Sequence, residues 1–210
     1  MRETAGSDAD AVAETGTTTV GIATEDGAVV ETDRRASPGG RFVSNENVVK
    51  VEQVHPIAVL TLVGSVGGAQ SFVRTIRAEA SLIETRRGEP LSVDALATLA
   101  GNFARGGPYL AIDLILGGVD EAGSHVYSTD PAGGVMANDY SVTGSGMQLA
   151  HGTLEGEYDP DLPIEEAETL AARAVHAATE RDTGSGNGLV LATVTDDVDI
   201  TEYDDVAAVL

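Results

Sequence analysis

The sequence predicts an α+β domain in which two packed β-sheets carry helices on their outer faces. Three observations predict it. Short β-branched runs give way to stretches where apolar residues recur every three or four positions. The elements arrive in blocks, strands followed by two helices, twice over, and then a strand, an order that buries its apolar faces as stacked layers. The chain has 210 residues, 42% of them hydrophobic, enough for one domain with a sizeable core.

Residues 1–15 are small, acidic and without periodicity, and read as a disordered leader. Thr17–Thr24 and Ala28–Asp33 are β-rich runs separated by Glu25-Asp26-Gly27, a hairpin signal. Pro38-Gly39-Gly40 marks a loop, and Val48–Val54 and Ile57–Val63 form a second strand pair broken at His55-Pro56. Ala69, Phe72, Val73, Ile76, Ala80 and Ile83 then lie on one face of a helix ending near Arg87-Gly88. Ser92 is an N-cap for a second helix carrying Val93, Leu96 and Leu99, stopped at Gly106-Gly107-Pro108. Tyr109–Val119 and Ser124–Thr129 read as a hairpin, and one strand around Val135–Val142 leads to Gly144-Ser145-Gly146 and a helix through Tyr158. Pro163 sits in the first turn of the last helix, with Ile164, Ala167, Leu170, Ala174, Val175 and Ala178 on one face. Asp182-Thr183-Gly184-Ser185-Gly186 ends that helix, and Leu189–Val194 returns as a strand.

Composition excludes several classes of function. With 34 acidic against 12 basic residues the formal charge is -22, a surface that repels phosphate backbones and argues against nucleic acid as a partner. The excess is spread along the chain, as in a protein bathed in molar salt, where the Debye length falls to roughly 3 Å and self-repulsion becomes tolerable. Cysteine is absent, which removes disulfides, thiolate metal sites and a cysteine nucleophile. The four histidines, His55, His125, His151 and His176, show no ligand spacing, so neither a metal nor a cofactor is expected. The first residues lack the apolar core of a secretory signal and no stretch approaches the ~18 apolar residues of a membrane helix. A soluble, cytoplasmic protein is expected.

Two features carry chemistry. Eleven of the twelve basic residues are arginine and the remaining one is Lys50. An ammonium gives up a proton when buried and a guanidinium in practice does not, so a sole lysine suggests reactive chemistry. Gly16-Thr17-Thr18-Thr19-Val20-Gly21 offers the matching nucleophile: a cut after Gly16 gives Thr17 a hydroxyl and a free α-amine together. Gly16, lacking Cβ, leaves its carbonyl open to a neighbouring hydroxyl. A threonine run is also simply what an ordinary strand looks like. Asp33 closes the second strand and Lys50 falls in the third, so the two can face each other across a small sheet. They form either an activating pair for the hydroxyl or a plain ion pair of little energetic weight. Gly64-Ser65 follows an apolar strand, where a bare N–H can serve an oxyanion, or simply make a turn.

Taken in order, these pieces resemble the β subunit of the proteasome core particle, of archaeal type. The matching residues are Gly16–Gly21, Asp33-Arg34-Arg35-Ala36-Ser37, Lys50-Val51, Gly64, Gly144-Ser145-Gly146, Gly152-Thr153-Leu154-Glu155, Tyr158, Arg181-Asp182 and Ser185-Gly186. The resemblance runs from Thr17 to the strand near Val194. It departs at Pro38-Gly39-Gly40-Arg41, one residue longer than the common loop, and at Met147, which replaces a frequent serine.

That resemblance implies a four-layer α-β-β-α sandwich of the N-terminal-nucleophile hydrolase type. It also implies that residues 1–16 are a propeptide removed by autocatalysis at the Gly16–Thr17 bond, and that 17–210 are a single catalytic domain. By the same likeness Thr17 is the nucleophile of a threonine endopeptidase, Asp33 and Lys50 its activating pair, and Gly64 the oxyanion donor. Ser145, Asp182 and Ser185 complete the implied polar network. Ala36, Val48, Leu62 and Val66 would line a pocket suited to cleavage after hydrophobic residues, with Glu52 and Gln70 nearby. The implied partners are other β subunits in heptameric rings, α-subunit rings, a regulatory ATPase and unfolded protein substrates, with no membrane or nucleic acid. The rival readings are an inert structural ring subunit and a different N-terminal-nucleophile hydrolase.

Overall fold

The computed structural model describes residues 15–63, 66–106, 113–130 and 132–210. The expectation of a disordered leader over 1–15 lies outside them except at Thr15, which is instead paired with Pro38 in a short strand. The Gly64 expectation, the Gly107-Pro108 helix stop and the strand start expected at Tyr109 lie outside them as well. The elements run β1 (Thr15–Gly16), β2 (Thr18–Thr24), β3 (Gly27–Asp33), β4 (Ser37–Pro38), β5 (Val51–His55), β6 (Ala58–Val63), α1 (Val66–Arg87) and α2 (Val93–Ala104). They continue with β7 (Asp113–Asp120), β8 (Gly123–Thr129), β9 (Val135–Asn138), β10 (Tyr140–Gly144), α3 (Met147–Glu157), α4 (Ile164–Thr179), β11 (Leu189–Val194) and β12 (Val198–Tyr203). A single 3-10 turn, Val206–Ala208, follows.

Two five-stranded antiparallel sheets form, in the orders β10-β2-β3-β11-β12 and β5-β6-β7-β8-β9. Period-2 patterning explains how they stack, because successive side chains of a strand leave opposite faces. On β3 and β11, Ala28, Val30, Val190, Ala192 and Val194 face the other sheet and meet Val51 and Val59. Val29, Leu189 and Leu191 point the other way, onto α3 and α4 through Leu154, Leu170, Ala171 and Val175. Beneath the second sheet, Leu60, Leu114 and Leu116 pack on Phe72, Ile76, Leu96 and Ala100 of α1 and α2. Each large apolar side chain so buried contributes roughly 1.5–3 kcal/mol. The result is a four-layer α-β-β-α sandwich.

The helix ends follow their chemistry. Ser92 Oγ accepts the Ala95 N–H at 3.2 Å and caps α2. The basic last turn of α1, Arg86 and Arg87, suits the negative end of its dipole. Gly88 then stops the helix at φ +75°, a conformation that costs a side-chain-free residue little. Glu165 and Glu166 occupy the first turn of α4, and its alanine-rich buried face lets the helix lie close on the sheet.

Three expectations are corrected. The single strand around Val135–Val142 is two strands in different sheets: β9 pairs with β8, β10 with β2, and the chain changes layer at Asp139. The Asp139 carbonyl accepts the Ala23 N–H at 2.8 Å, which anchors the crossing. The third long strand begins at Val51 and not Val48, because the Val48 N–H bonds to the Arg34 carbonyl at 2.9 Å and holds that stretch as a loop. A further strand, β12, follows Val194; its acidic, half-exposed residues hide the alternation of an edge strand.

One core residue breaks the apolar pattern. Glu31, between Val30 and Thr32 on β3, is fully buried and neither carboxylate oxygen has a hydrogen-bond partner. Burial pushes its carboxyl well above the usual carboxylate range, and the charge of Glu168 pushes the same way. Folded chain therefore holds a proton that unfolded chain has already shed, so this term favours folding below the ordinary carboxylate pKa and fades as pH rises toward the folded value. Glu31→Gln is expected to gain on the unsubstituted protein as pH rises, by about 1.4 kcal/mol per unit within that window. Denaturant unfolding at mildly acidic and mildly alkaline pH checks this; a pH-independent difference would mean that Glu31 titrates normally.

Candidate active site

The site forms at the ends of three segments that patterning brings together. Asp33 is the last residue of β3 and is fully buried. Thr17 lies between β1 and β2 and is 1% exposed. Lys50, immediately before β5, has a side chain 9% exposed. The expectation that Asp33 and Lys50 face each other across one sheet is wrong: β3 and β5 belong to different sheets, and the pair meets between layers.

The three functional groups converge. Lys50 Nζ donates to Thr17 Oγ1 at 2.7 Å and to Asp33 Oδ1 at 2.7 Å, and Thr17 Oγ1 donates to Asp33 Oδ1 at 2.8 Å. The same oxygen accepts the Thr18 N–H at 2.9 Å, while Oδ2 accepts the Arg35 and Gly186 N–H groups, each at 2.9 Å. With every lone pair engaged, Asp33 is an anchor. Burial lowers the Lys50 pKa from its ordinary range; the charge and hydrogen bond of Asp33 oppose the shift without cancelling it. A buried lysine poised in this way can exchange a proton with a hydroxyl.

A second group of polar residues holds the backbone of Thr17. The Thr17 N–H donates to Ser145 Oγ at 3.1 Å, and Ser145 Oγ lies 3.3 Å from the Thr17 carbonyl. Ser145 and Ser185 each donate to Asp182 Oδ2 at 2.6 Å, and Thr18 Oγ1 bonds to Ser185 Oγ at 2.8 Å. Ser145 comes from the β10–α3 turn, and Asp182 and Ser185 from the loop that ends α4. Gly146 is required by close approach, since a Cβ there would strike Thr18 Oγ1.

Ala36 is buried and its backbone bridges to Asn45; Val48 is half-buried. The side chains of Leu62 and Val66 are outside the described set, and Glu52 pairs with Arg77 at 2.9 Å. Gln70 is exposed on α1. Arg35 is the residue that sequence reasoning left without a role. Its Nε donates to Asn187 Oδ1 at 2.7 Å and its Nη1 to the Thr183 carbonyl at 3.1 Å, tying the segment after Asp33 to the Asp182 loop. Its position directly after Asp33-Arg34 was the available signal. Among the described residues no group of three or more His, Asp or Glu residues is placed to hold a metal ion, and no helix is long and apolar enough to cross a membrane.

The family model described as "Proteasome subunit" matches residues 13–194. A proteasome subunit beta of Halorhabdus utahensis is 71% identical over 204 residues, 97% of this chain and 87% of the relative. One from Halomicrobium mukohataei is 73% identical over 199 residues, covering 94% and 84% respectively. A proteasome subunit beta 2 of Haloarcula marismortui is 67% identical over 204 residues, covering 97% and 89%. These relatives come from halophilic archaea, in keeping with the charge of -22. A family of N-terminal-nucleophile hydrolases has this sandwich, and at such identity over nearly the whole length the chain belongs to the proteasome subunit family, alongside its β subunits.

Proposed function

We propose that the chain is a threonine endopeptidase, made as a precursor whose residues 1–16 are removed by its own Thr17. The observation that carries this reading is the mutual 2.7–2.8 Å contact of Thr17 Oγ1, Asp33 Oδ1 and Lys50 Nζ, all three almost wholly buried. In the precursor the nitrogen of Thr17 is an amide and no base. Burial favours the unprotonated form of Lys50, and in that form it takes the Thr17 hydroxyl proton as Oγ1 attacks the Gly16 carbonyl carbon. The C–N bond breaks, the proton passes to the leaving nitrogen, and water hydrolyses the Gly16 ester to free both hydroxyl and α-amine. An α-amine has a reference pKa of about 7.7–8.0 against about 10.4 for lysine, so it is the better base near neutrality. Lys50 then takes up a proton from solvent and acts by charge, beside the Asp33 carboxylate.

In peptide hydrolysis the Thr17 hydroxyl attacks a substrate carbonyl, the α-amine carries the proton to the leaving amine, and water releases the acyl-enzyme. The Gly64 N–H is the proposed oxyanion donor. Ser145, Asp182 and Ser185 hold the α-amine and its backbone in place. Ala36, Val48, Leu62 and Val66 make the pocket for an apolar residue before the cut. The active threonines face the chamber of stacked heptameric β rings, which α-type rings gate and a regulatory ATPase supplies with unfolded chains in the cytoplasm.

Intact-mass measurement of the assembled particle is expected to find a chain beginning at Thr17, and a panel of fluorogenic peptides to be cut fastest after large apolar residues. Assembled rings that retain residues 1–16 and still digest peptides would overturn the nucleophile assignment. A preference for basic residues would overturn only the pocket.

A further inference from the structure

Gly16 and Gly184 face each other with no side chain on either. A Cβ built on Gly16 would stand against Gly184 Cα, and a Cβ on Gly184 would lie 2.7 Å from Gly16 Cα, closer than real Cβ atoms come to backbone. Neither backbone is free to retreat. Gly16 is paired with Ser37 in the short β1–β4 ladder. Gly184 is fixed through its N–H, which donates to Asp182 Oδ1 at 3.1 Å. Its neighbour Thr183 is held by Arg35 Nη1 on its carbonyl and by its own Oγ1 on the Gly40 carbonyl at 3.3 Å. The bond to be cut is thus clamped between a two-residue strand and a bare glycine. One residue on, the Thr17 N–H rests 3.1 Å from Ser145 Oγ.

Resting on the self-cleavage reading above, we infer that Gly184 is a positioning residue dedicated to removal of the leader. Its bare Cα is the wall that seats Gly16 so that the Gly16 carbonyl stays within reach of Thr17 Oγ1. Once residues 1–16 leave, the wall has nothing to seat. Of the three atoms nearest a Cβ at 184, two belong to Gly16 and leave with the leader; the third, Ser145 Oγ at 2.9 Å, gives by a few tenths of an ångström within its bonds to Asp182 and Thr17 more readily than backbone does. Precursor and mature enzyme therefore make opposite demands on this position. A displacement of about 1 Å from attack geometry costs on the order of 100-fold in rate, so only the precursor is exposed to a large effect.

The test compares two forms of Gly184→Ala in assembled particles: the full chain, and a chain released at Thr17 from a cleavable N-terminal fusion. Loss of residues 1–16 is followed by intact mass and peptidase activity with a fluorogenic peptide. In the full chain, processing is expected to slow by about 100-fold. The released form is expected to keep activity within about tenfold of the unsubstituted enzyme, a barrier change below about 1.4 kcal/mol. Gly16→Ala brings the same collision from the other side, leaves the mature enzyme unaltered, and is expected to stall as well. Normal processing of either variant overturns the inference, as does equal loss in both Gly184→Ala forms, which would make the glycine a general structural requirement. An unsubstituted chain that never sheds its leader would instead sink the self-cleavage reading, and the inference with it.

Discussion

Thr17→Ala is expected to abolish peptide hydrolysis, by at least about 10⁴-fold, and to leave residues 1–16 attached in the assembled particle. Both losses follow from one atom. Thr17 Oγ1 is the hydroxyl held between Lys50 Nζ and Asp33 Oδ1, and the same oxygen is proposed to cut first the leader and then the substrate. The fold should survive, because Asp33 keeps the Thr18, Arg35 and Gly186 N–H donors and the Lys50 ammonium. The two hydrogen bonds lost with the hydroxyl cost about 1 kcal/mol each. Thr17→Ser retains the hydroxyl and is expected to retain processing. Mass spectrometry, peptidase rates and an unfolding curve on the three proteins separate the outcomes. A processed Thr17→Ala chain would show that a different protease removes the leader.

Lys50→Arg is expected to be nearly as damaging, with a loss of at least about 10³-fold in kcat/KM and a stalled precursor. The substitution keeps the charge and removes the chemistry. A guanidinium does not surrender its proton, whereas burial already lowers the Lys50 pKa. Its planar fork also has to fit a site where Lys50 reaches two oxygens at 2.7 Å from a side chain only 9% exposed. Supplying the variant already cut at Thr17 divides the two roles, since the α-amine is then the base and Lys50 contributes field and position. Full activity of pre-cut Lys50→Arg would confine the lysine's proton transfer to leader removal. Full processing of the uncut variant would exclude Lys50 as the base there.

Much of the architecture was legible because long amphipathic stretches announce themselves. The helix face through Phe72, Val73, Ile76 and Ala80 is apolar at helical spacing and is buried. The Ser92 cap could be read from residue type alone. The strand boundaries that failed did so where tertiary bonds override pattern. The layer change at Asp139 is easily missed in residues 135–142, because only Asn138-Asp139 separates Val135-Met136-Ala137 from Tyr140 and Val142, with no glycine or proline to mark a break. Lys50 drew attention by census, as the single lysine, yet the placement expected for it opposite Asp33 in one sheet was wrong. Ser145, Asp182 and Ser185 were legible only by resemblance: they are far apart in the chain, and no spacing rule joins them to Thr17. Arg35 and Gly184 escaped because their importance lies in what they approach, which one-dimensional patterning cannot express.

The meeting of Asp33, at the end of a strand in one sheet, with Lys50, just before a strand of the other, has a consequence for how this protein fails. A bond of 2.7 Å spanning two separately built slabs tolerates almost no swelling of the gap between them. Heat or dilution of salt that loosens the sandwich by a fraction of an ångström should silence the enzyme while its spectroscopic helix and strand content is still intact. Turnover would thus serve as a ruler for interlayer spacing, finer than any melting curve.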